Sequence, residues 1–376
     1  MTDPTAPLDD RLAAYVRTAG RSPSAHNTQP WSPRVVDGAI EVAVVPGRTL
    51  PAGDPTFRDL LLGLGAWVES VAIAAAQDGF GVSVEPLPAL SRLDAMPVSG
   101  PADPAQPVVR LHFTDETPST PFTPADVRDR RVFRGTLLPA ADIWSAAPPL
   151  PAALRLLEVD APAMTHLTRL GLAFTASRPA VAAELVQWVR LRPDHPRYRL
   201  DGMTDTMLGL PAPVARLVAP FTRRPRLHDA ALALGGVLGR TMEGLGRDRP
   251  LPRREDAPAG DCVRHLVLVA SPGTGTGDDL RGTGGRTSAT EPADSRIGVS
   301  ELAALEAGRS LQRLWLHAHT RGVVVSPHSE VIDSPMAHGA LRRRLGLRRS
   351  EVALAIFSAG RASAAVPRSP RLTDGG

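Results

Sequence analysis

The chain contains 376 residues, 43% of them hydrophobic, which is enough to bury a large core and excludes a disordered protein. Its 43 basic residues are all arginine, which excludes a lysine Schiff base and a lysine-dependent phosphate loop, and its net charge of +4 does not indicate nucleic-acid binding. The single cysteine, Cys262, excludes an internal disulfide and a thiolate metal cluster.

The first residues carry acids and prolines instead of a basic-then-apolar signal, and they lead into a predicted helix at 8–19. The most apolar stretch, residues 60–76, is interrupted by Glu69 and is short for a bilayer. We therefore expect a soluble, cytoplasmic protein without a membrane partner.

Residues 22–31, with the sequence SPSAHNTQPW, form a stiff polar loop between this helix and a predicted strand at 34–45. Two prolines restrict the backbone and present Asn27 and Gln29, whose amides offer both donors and acceptors. Such a loop suits the hydrogen-bonding edge of a heterocycle. An ordinary turn is the alternative interpretation.

The next pattern is an internal repeat. A helix at 65–79 ends at a glycine and precedes a strand at 82–84, and a helix at 308–322 does the same before a strand at 323–325. The two glycine pairs have the same 14-residue spacing. A further strand precedes the second helix at 265–270. The repeat predicts two halves of similar topology.

The remaining segments are less specific. Residues 85–106 and 114–124 read as surface connectors, 137–260 as a mainly helical excursion, and the Gly/Thr-rich run 273–287 as a loop. That run lacks the spacing of a dinucleotide-binding glycine motif.

His317 and His319 are two residues apart on a helix and make a poor metal pair, so no metal is expected. The basic run 341–349 lacks interleaved aromatics and favours a solvated helix face over nucleic-acid binding.

Arginines in two places could bind a phosphate. Arg130 and Arg134 have the spacing that places them on one side of a helical turn, and Arg368 and Arg371 lie on a proline-stiffened tail near the C-terminus. Guanidinium groups hold phosphate oxygens bidentately, so a phosphate ester could be bound by both sets. Solubilising surface arginines are the alternative.

The segment PSAHNTQPW at 23–31 resembles a signature of the nitroreductase superfamily of flavin enzymes. The sequence HNTQPW at 26–31, followed by DPTFR at 54–58 and the helix from Gly65, is most similar to the Acg-like branch. The resemblance implies an α+β three-layer fold in which two fused halves mimic the usual homodimer, so that the chain acts as a monomer. It places the first half at 1–110 and the second at 111–376, with a lid-like helical insertion around 140–260.

The resemblance further implies one FMN per chain, since the second half has no copy of the loop. The cofactor would be held by loop residues of the first half and by arginines and a Pro-His-Ser segment of the second. The implied residues are Ser24, Ala25, Asn27, Gln29, Arg130, Arg134, Pro327, His328, Ser329, Arg368 and Arg371. No catalytic side chain is implied, because the flavin carries out the redox chemistry.

The expected function is an FMN-dependent oxidoreductase that uses NAD(P)H and passes a hydride to a small organic acceptor. The alternative implied by the Acg-like branch is a flavin-sequestering protein without turnover.

Overall fold

The structure is a computed structural model that describes residues 7–95, 106–116, 118–223, 260–271 and 297–375, with a few more between 233 and 244. The predicted loop at 273–287 lies outside the described residues.

The first half is a four-stranded antiparallel sheet with two helices. Its strands lie in the order β1-β2-β4-β3. Its elements are α1 (Leu8–Ala19), β1 (Trp31–Val36), β2 (Ala39–Val44), α2 (Arg58–Ala76), β3 (Gly81–Pro86) and β4 (Pro107–Thr114). The predicted single strand at 34–45 is wrong, because Asp37 and Gly38 adopt φ values of 49° and 72° and turn the chain into the β1-β2 hairpin. Asp-Gly is a favoured sequence in such turns.

The second half is built on a larger antiparallel sheet in the order β10-β11-β9-β6, with β5 paired to β11. Two short strands, β7 and β8, form a separate parallel pair. The strands are β5 (Leu137–Leu138), β6 (Leu154–Val159), β7 (Val189–Arg190), β8 (Met203–Thr204), β9 (Arg264–Ala270), β10 (Val324–Pro327) and β11 (Val352–Ala362). The helices are α3 (Pro124–Asp129), α4 (Ala161–Ser177), α5 (Pro179–Gln187), α6 (Ala212–Arg223), α7 (Glu301–His319), α8 (Ser329–Asp333) and α9 (Pro335–Leu345).

The second sheet lies between two helical layers. Leu266 and Leu268 of β9 pack in the core that contains α2 and α7, whereas the alternate residues Val267 and Val269 pack with α4 and α9. Alternation is expected because successive strand side chains point to opposite faces. The predicted α+β class and its three-layer arrangement are confirmed.

Helices α2 and α7 cross at the centre and relate the two halves. A Cβ atom placed on Gly65 would lie 1.9 Å from the carbonyl oxygen of Leu305, and one on Gly308 would lie 2.3 Å from that of Leu62. Each helix is followed by a glycine with positive φ, 84° and 70°, and then by a strand. The predicted pair of fused halves is confirmed, and its repeated glycines are the points of closest helix approach.

The apolar character of α2 belongs to the protein core. This helix is long and apolar enough to cross a membrane by composition alone, yet 83% of the apolar stretch is buried inside the structure. One continuous cluster of buried side chains joins α2 to α7 and to both sheets.

The predicted division at residue 110 stays a prediction. Strand β4 ends at Thr114, and β6 and α4, within the predicted insertion at 140–260, form part of the second sheet and its outer helical layer.

Candidate active site

A large cavity lies where the two halves meet. It encloses about 1150 Å³, its open mouth included. Its wall combines the loop at 21–27, the start of α2, the segment 130–134, one face of α7, the β10-α8 junction, β11 and the C-terminal tail. The structure brings eight of the predicted site residues into this wall. They are Ser24, Ala25, Asn27, Arg130, Arg134, Pro327, Ser329 and Arg371.

The polar loop is held in a strained conformation at this wall. His26, Asn27 and Gln29 all have positive φ, at 49°, 56° and 51°. For most residues with a side chain this left-handed region costs about 1–2 kcal/mol, although asparagine adopts it more readily. Backbone strain of this kind persists where surrounding contacts determine the geometry, and it clusters at functional sites.

Those surrounding contacts come from the second half. The Asn27 amide donates to the carbonyls of Gly202 (3.1 Å) and Pro370 (3.0 Å) and accepts from Arg371 Nη1 (2.7 Å). Gln29 donates to the Leu200 carbonyl (3.0 Å) and accepts from the backbone N–H of residue 372 (2.9 Å). Both side-chain amides therefore bind the protein, and Asn27 lines the cavity whereas Gln29 does not. Their predicted contact with a heterocycle stays a prediction.

The arginine segment reaches the cavity through extended backbone and not through a helix. Helix α3 ends at Asp129, Val132 bridges to Val325, and the Phe133 N–H donates to the Val325 carbonyl (3.0 Å). Alternate residues of an extended chain share a face, so Arg130, Val132 and Arg134 all face the cavity. The predicted helical spacing is thus wrong, although both arginines converge as expected.

Arg130 is a buried cation without a counterion among the described residues. It is 5% exposed, and its Nε and Nη1 have no hydrogen-bond partner in the described part of the chain. Its guanidinium lies 5.5 Å from the centre of the Trp315 ring. Burial, with the charges of Arg21 and Arg131, lowers the pKa of Arg130 to about 9. A buried charge is costly unless it is paired, so this side chain indicates an anion site.

Arg21 supplies a second guanidinium that the sequence reasoning missed. It is 6% exposed, lines the cavity and donates from Nη2 to the Ser369 carbonyl (3.2 Å). Its position directly before the SPSAHN segment was the available signal.

The two predicted tail arginines occupy different positions, and their binding to a phosphate stays a prediction. Arg371 lines the wall, but its Nη1 and Nη2 atoms donate to Asn27, Pro370 and the carbonyls of Arg21 and Ser22. Arg368 lies outside the cavity wall, near Arg131. Arg371 therefore fastens the loop at 21–27 to the tail.

The Pro-His-Ser segment contributes in part. Pro327 and Ser329 line the cavity, whereas His328 lies outside its lining and hydrogen-bonds through Nε2 with Ser358 Oγ (2.8 Å) and through Nδ1 with Glu330 (3.2 Å). His328 therefore positions the segment.

His26 presents a neutral ring to the cavity. Burial, followed by the charge of Arg134, lowers the pKa of His26 to about 4, so the imidazole is uncharged near neutral pH. Its Nδ1 atom is buried without a partner among the described residues. The ring can therefore exchange a hydrogen bond with a ligand.

Much of the remaining wall is apolar. These side chains come from α2, α7, α8, β11, the arginine segment and the chain after β7, so their convergence could not be read from local sequence. They are Leu62, Val132, Met203, Met207, Leu311, Trp315, Ile332, Leu354 and Ile356. An apolar cavity with a few convergent polar groups is typical of a cofactor or small-molecule site.

Comparison with known proteins gives partial matches. No family model matches the chain. "Putative NAD(P)H nitroreductase acg" of Mycobacterium tuberculosis is 35% identical over 79 residues, which cover 21% of this chain and 24% of that protein. "Putative NAD(P)H nitroreductase Rv3131" of the same organism is 37% identical over 82 residues, which cover 22% of this chain and 24% of that protein.

The chain thus spans about a quarter of the length of these curated relatives. A crystal structure of a "putative nitroreductase" from Anabaena variabilis aligns with 86% of this chain and 69% of its own at 13% identity, with a TM-score of 0.33. The two curated relatives confirm the predicted resemblance of this chain to the nitroreductase superfamily and its Acg-like branch.

Proposed function

We propose that the chain is an FMN-dependent oxidoreductase that accepts a hydride from NAD(P)H and delivers it to a small organic acceptor in the cavity between its halves. The names of the matched relatives support nicotinamide-dependent chemistry. The cavity wall shared by both halves supports one FMN per chain and a monomer that reproduces the usual dimer site.

The observation that carries this proposal is that Arg130 is buried without a counterion among the described residues. Two of its nitrogen atoms, Nε and Nη1, have no acceptor in the described residues, and the charges that act on it are those of Arg21 and Arg131. A phosphate supplies two negative charges and acceptor oxygens that match the guanidinium fork. Arg21 lines the same cavity, and its charge acts on Arg130, which supports a shared anion site.

The rest of the wall fits the flavin ring. Trp315, Leu62 and Ile356 offer apolar surface for a flat heterocycle, while His26 and Ser329 place polar groups beside it. When bound, FMN would supply the hydride-carrying ring. The residues of this chain would hold its phosphate, orient the ring and exclude water.

Arg130→Ala is the direct test. We expect FMN affinity to fall about 100-fold, since each lost charged hydrogen bond contributes about 1.5–3 kcal/mol. The apoprotein should remain folded and gain stability, because the variant removes a buried, uncompensated charge. Fluorescence titration with FMN and denaturant unfolding of the apoprotein measure the two effects.

Arg131→Ala is the matched control, because Arg131 neighbours Arg130 but donates to the carbonyls of Arg128 and Arg130. It should change FMN affinity by less than about 5-fold, as expected for a screened charge. Equal affinity of Arg130→Ala and the parent protein would refute the phosphate assignment. A flavin that NADH and NADPH both fail to bleach without oxygen would contradict the oxidoreductase and favour sequestration.

A further inference from the structure

A cluster of three aspartates surrounds one arginine at the wall of the cavity. Arg58 Nη2 donates to Asp59 Oδ1 (2.9 Å) and to Asp333 Oδ1 (2.8 Å), so two carboxyl groups converge on one nitrogen. Arg58 and Asp59 line the cavity. Asp333, whose side chain is 22% exposed, lies behind them with access to solvent.

Asp54 adds a third carboxyl group from the loop before α2. It is 4% exposed and accepts from the backbone N–H of Leu60 through Oδ2 (2.9 Å), while Oδ1 has no hydrogen-bond partner among the described residues. One guanidinium cannot neutralise three carboxylates. A buried carboxyl group in such surroundings takes up a proton, because like charges nearby and loss of hydration both disfavour ionisation.

The direction of the pKa shifts agrees with this geometry. Burial, opposed in part by Arg58 and reinforced by Asp59, raises the pKa of Asp333 to about 7. Burial, with the charge of Asp59, also raises the pKa of Asp54 well above its usual value.

Other charged or titratable groups adjoin the cluster. Burial, with neighbouring arginines, lowers the pKa of His26 and His338 to about 4, so neither histidine holds a proton near neutral pH. The charged or titratable groups of the cluster and its surroundings are Arg58 and Asp59 of α2, Asp54 of the preceding loop, Asp333 and Glu330 of α8, His338 of α9 and His26 of the cavity loop.

We propose that the cluster of Asp54, Asp59, Asp333 and Arg58 stores a proton at neutral pH and delivers it through Asp59 to the acceptor that is reduced in the cavity. This inference rests on the proposed function. A quinone that gains a hydride needs one proton to become a hydroquinone. The carboxyl O–H bond breaks, the new hydroxyl O–H bond forms, and solvent returns a proton to the carboxylate.

The first test uses the apoprotein and Asp333→Asn. A carboxyl group whose pKa is raised on folding binds its proton more tightly in the folded state, so its contribution to stability falls as pH rises from about 4 to about 7. The amide introduced by this substitution cannot ionise, and the variant should therefore gain stability relative to the parent across this interval. Denaturant unfolding at a series of pH values measures the difference.

The second test measures reoxidation of the reduced, FMN-loaded protein by a soluble quinone at a series of pH values. The parent rate should fall at least about 5-fold as pH rises through about 7, following loss of the stored proton. Asp59→Asn and Asp333→Asn should be slow at all pH values and lose this inflection. Asp78→Asn is the control, because Asp78 is a buried partner of Arg11 just beyond the opposite end of α2.

The outcomes separate the two proposals. The proton store is overturned if the stability of the parent and of Asp333→Asn changes in parallel from about pH 4 to about pH 7. It is also overturned if the rate profiles of Asp59→Asn and the parent coincide. A parent protein that binds no FMN overturns the proposed function and, with it, delivery to an acceptor, while the apoprotein curves still report whether the proton is stored.

Discussion

Gly65→Ala is expected to lower the free energy of unfolding by about 2 kcal/mol or more. The new methyl group would overlap the Leu305 carbonyl oxygen at 1.9 Å, and the next contacts are backbone atoms of Gly308 and Arg309 at 2.9 Å. Backbone cannot rotate away as a side chain can, so α2 and α7 must separate. Overpacking of this kind costs about 3 kcal/mol, from which about 1 kcal/mol of improved helix propensity is recovered.

Gly339→Ala in α9 is expected to raise the free energy of unfolding instead. Its nearest neighbour would be Arg343 Nη1 at 3.5 Å, an ordinary contact, so only the propensity gain of about 1 kcal/mol remains. Urea or guanidinium unfolding of the two variants makes the comparison. Equal stabilities would show that the helix crossing tolerates a side chain and that the repeated glycines do not determine how the halves meet.

Asp201→Asn should destabilise the protein by about 3–5 kcal/mol at neutral pH, the usual consequence of removing one partner from buried ion pairs. The Asp201 carboxylate is fully buried. It accepts hydrogen bonds from Arg48 Nη2 (2.9 Å), Arg190 Nη2 (3.1 Å) and Arg197 Nε (2.7 Å). An amide offers one acceptor oxygen and no charge to these three cations. Since the adjacent Gly202 carbonyl accepts from Asn27, the cavity loop should loosen as well.

The effect has a defined pH dependence. Burial alone would raise the pKa of Asp201, but the hydrogen bonds from Arg197 and Arg48 lower it below the usual value. The stabilisation is therefore complete above the unfolded pKa of about 3.9 and is lost as pH falls through the lower folded value. The difference between parent and variant should stay constant from about pH 8 to about pH 5 and shrink in stronger acid.

Asp194→Asn is the control for this variant. Asp194 pairs with Arg192 at 2.8 Å, yet both side chains are about half exposed, and such surface pairs contribute about 0–1 kcal/mol. If Asp201→Asn lowers the free energy of unfolding no more than Asp194→Asn does, the structural role assigned to the buried carboxylate is contradicted.

Local patterns were sufficient to predict several elements. The helix at 8–19, the two glycine-ended helices and the strands that follow them depend on periodicity and on capping glycines, which act within a few residues. The hairpin at Asp37 and Gly38 was missed because its turn signal is only two residues long and lies inside an apolar run.

The candidate site was predicted less completely. Local spacing identified Arg130 and Arg134, but for the wrong reason, since pairing with Val325 makes the segment extended. Gln29 and Arg371 were predicted only as ligand groups, because the backbone groups of Leu200, Arg21 and Ser22 that they also bind lie more than 170 residues away in sequence. The aspartate cluster was not recognised at all, because Asp333 meets Arg58 only after the halves pack.

By itself, the sequence determined the α+β class, the two related halves, the resemblance to the nitroreductase superfamily and the presence of arginines able to bind a phosphate. These properties follow from residue type and short-range spacing. The tertiary structure alone decided that Asn27 and Arg371 bind each other, that Arg21 and Arg130 line one cavity, and that two carboxyl groups share the Arg58 guanidinium while the Asp54 carboxyl group is buried beside them. The hydrogen-bond partners and the burial of a side chain depend on which distant segments meet. Both change the pKa and reactivity of the side chain without changing the residue type.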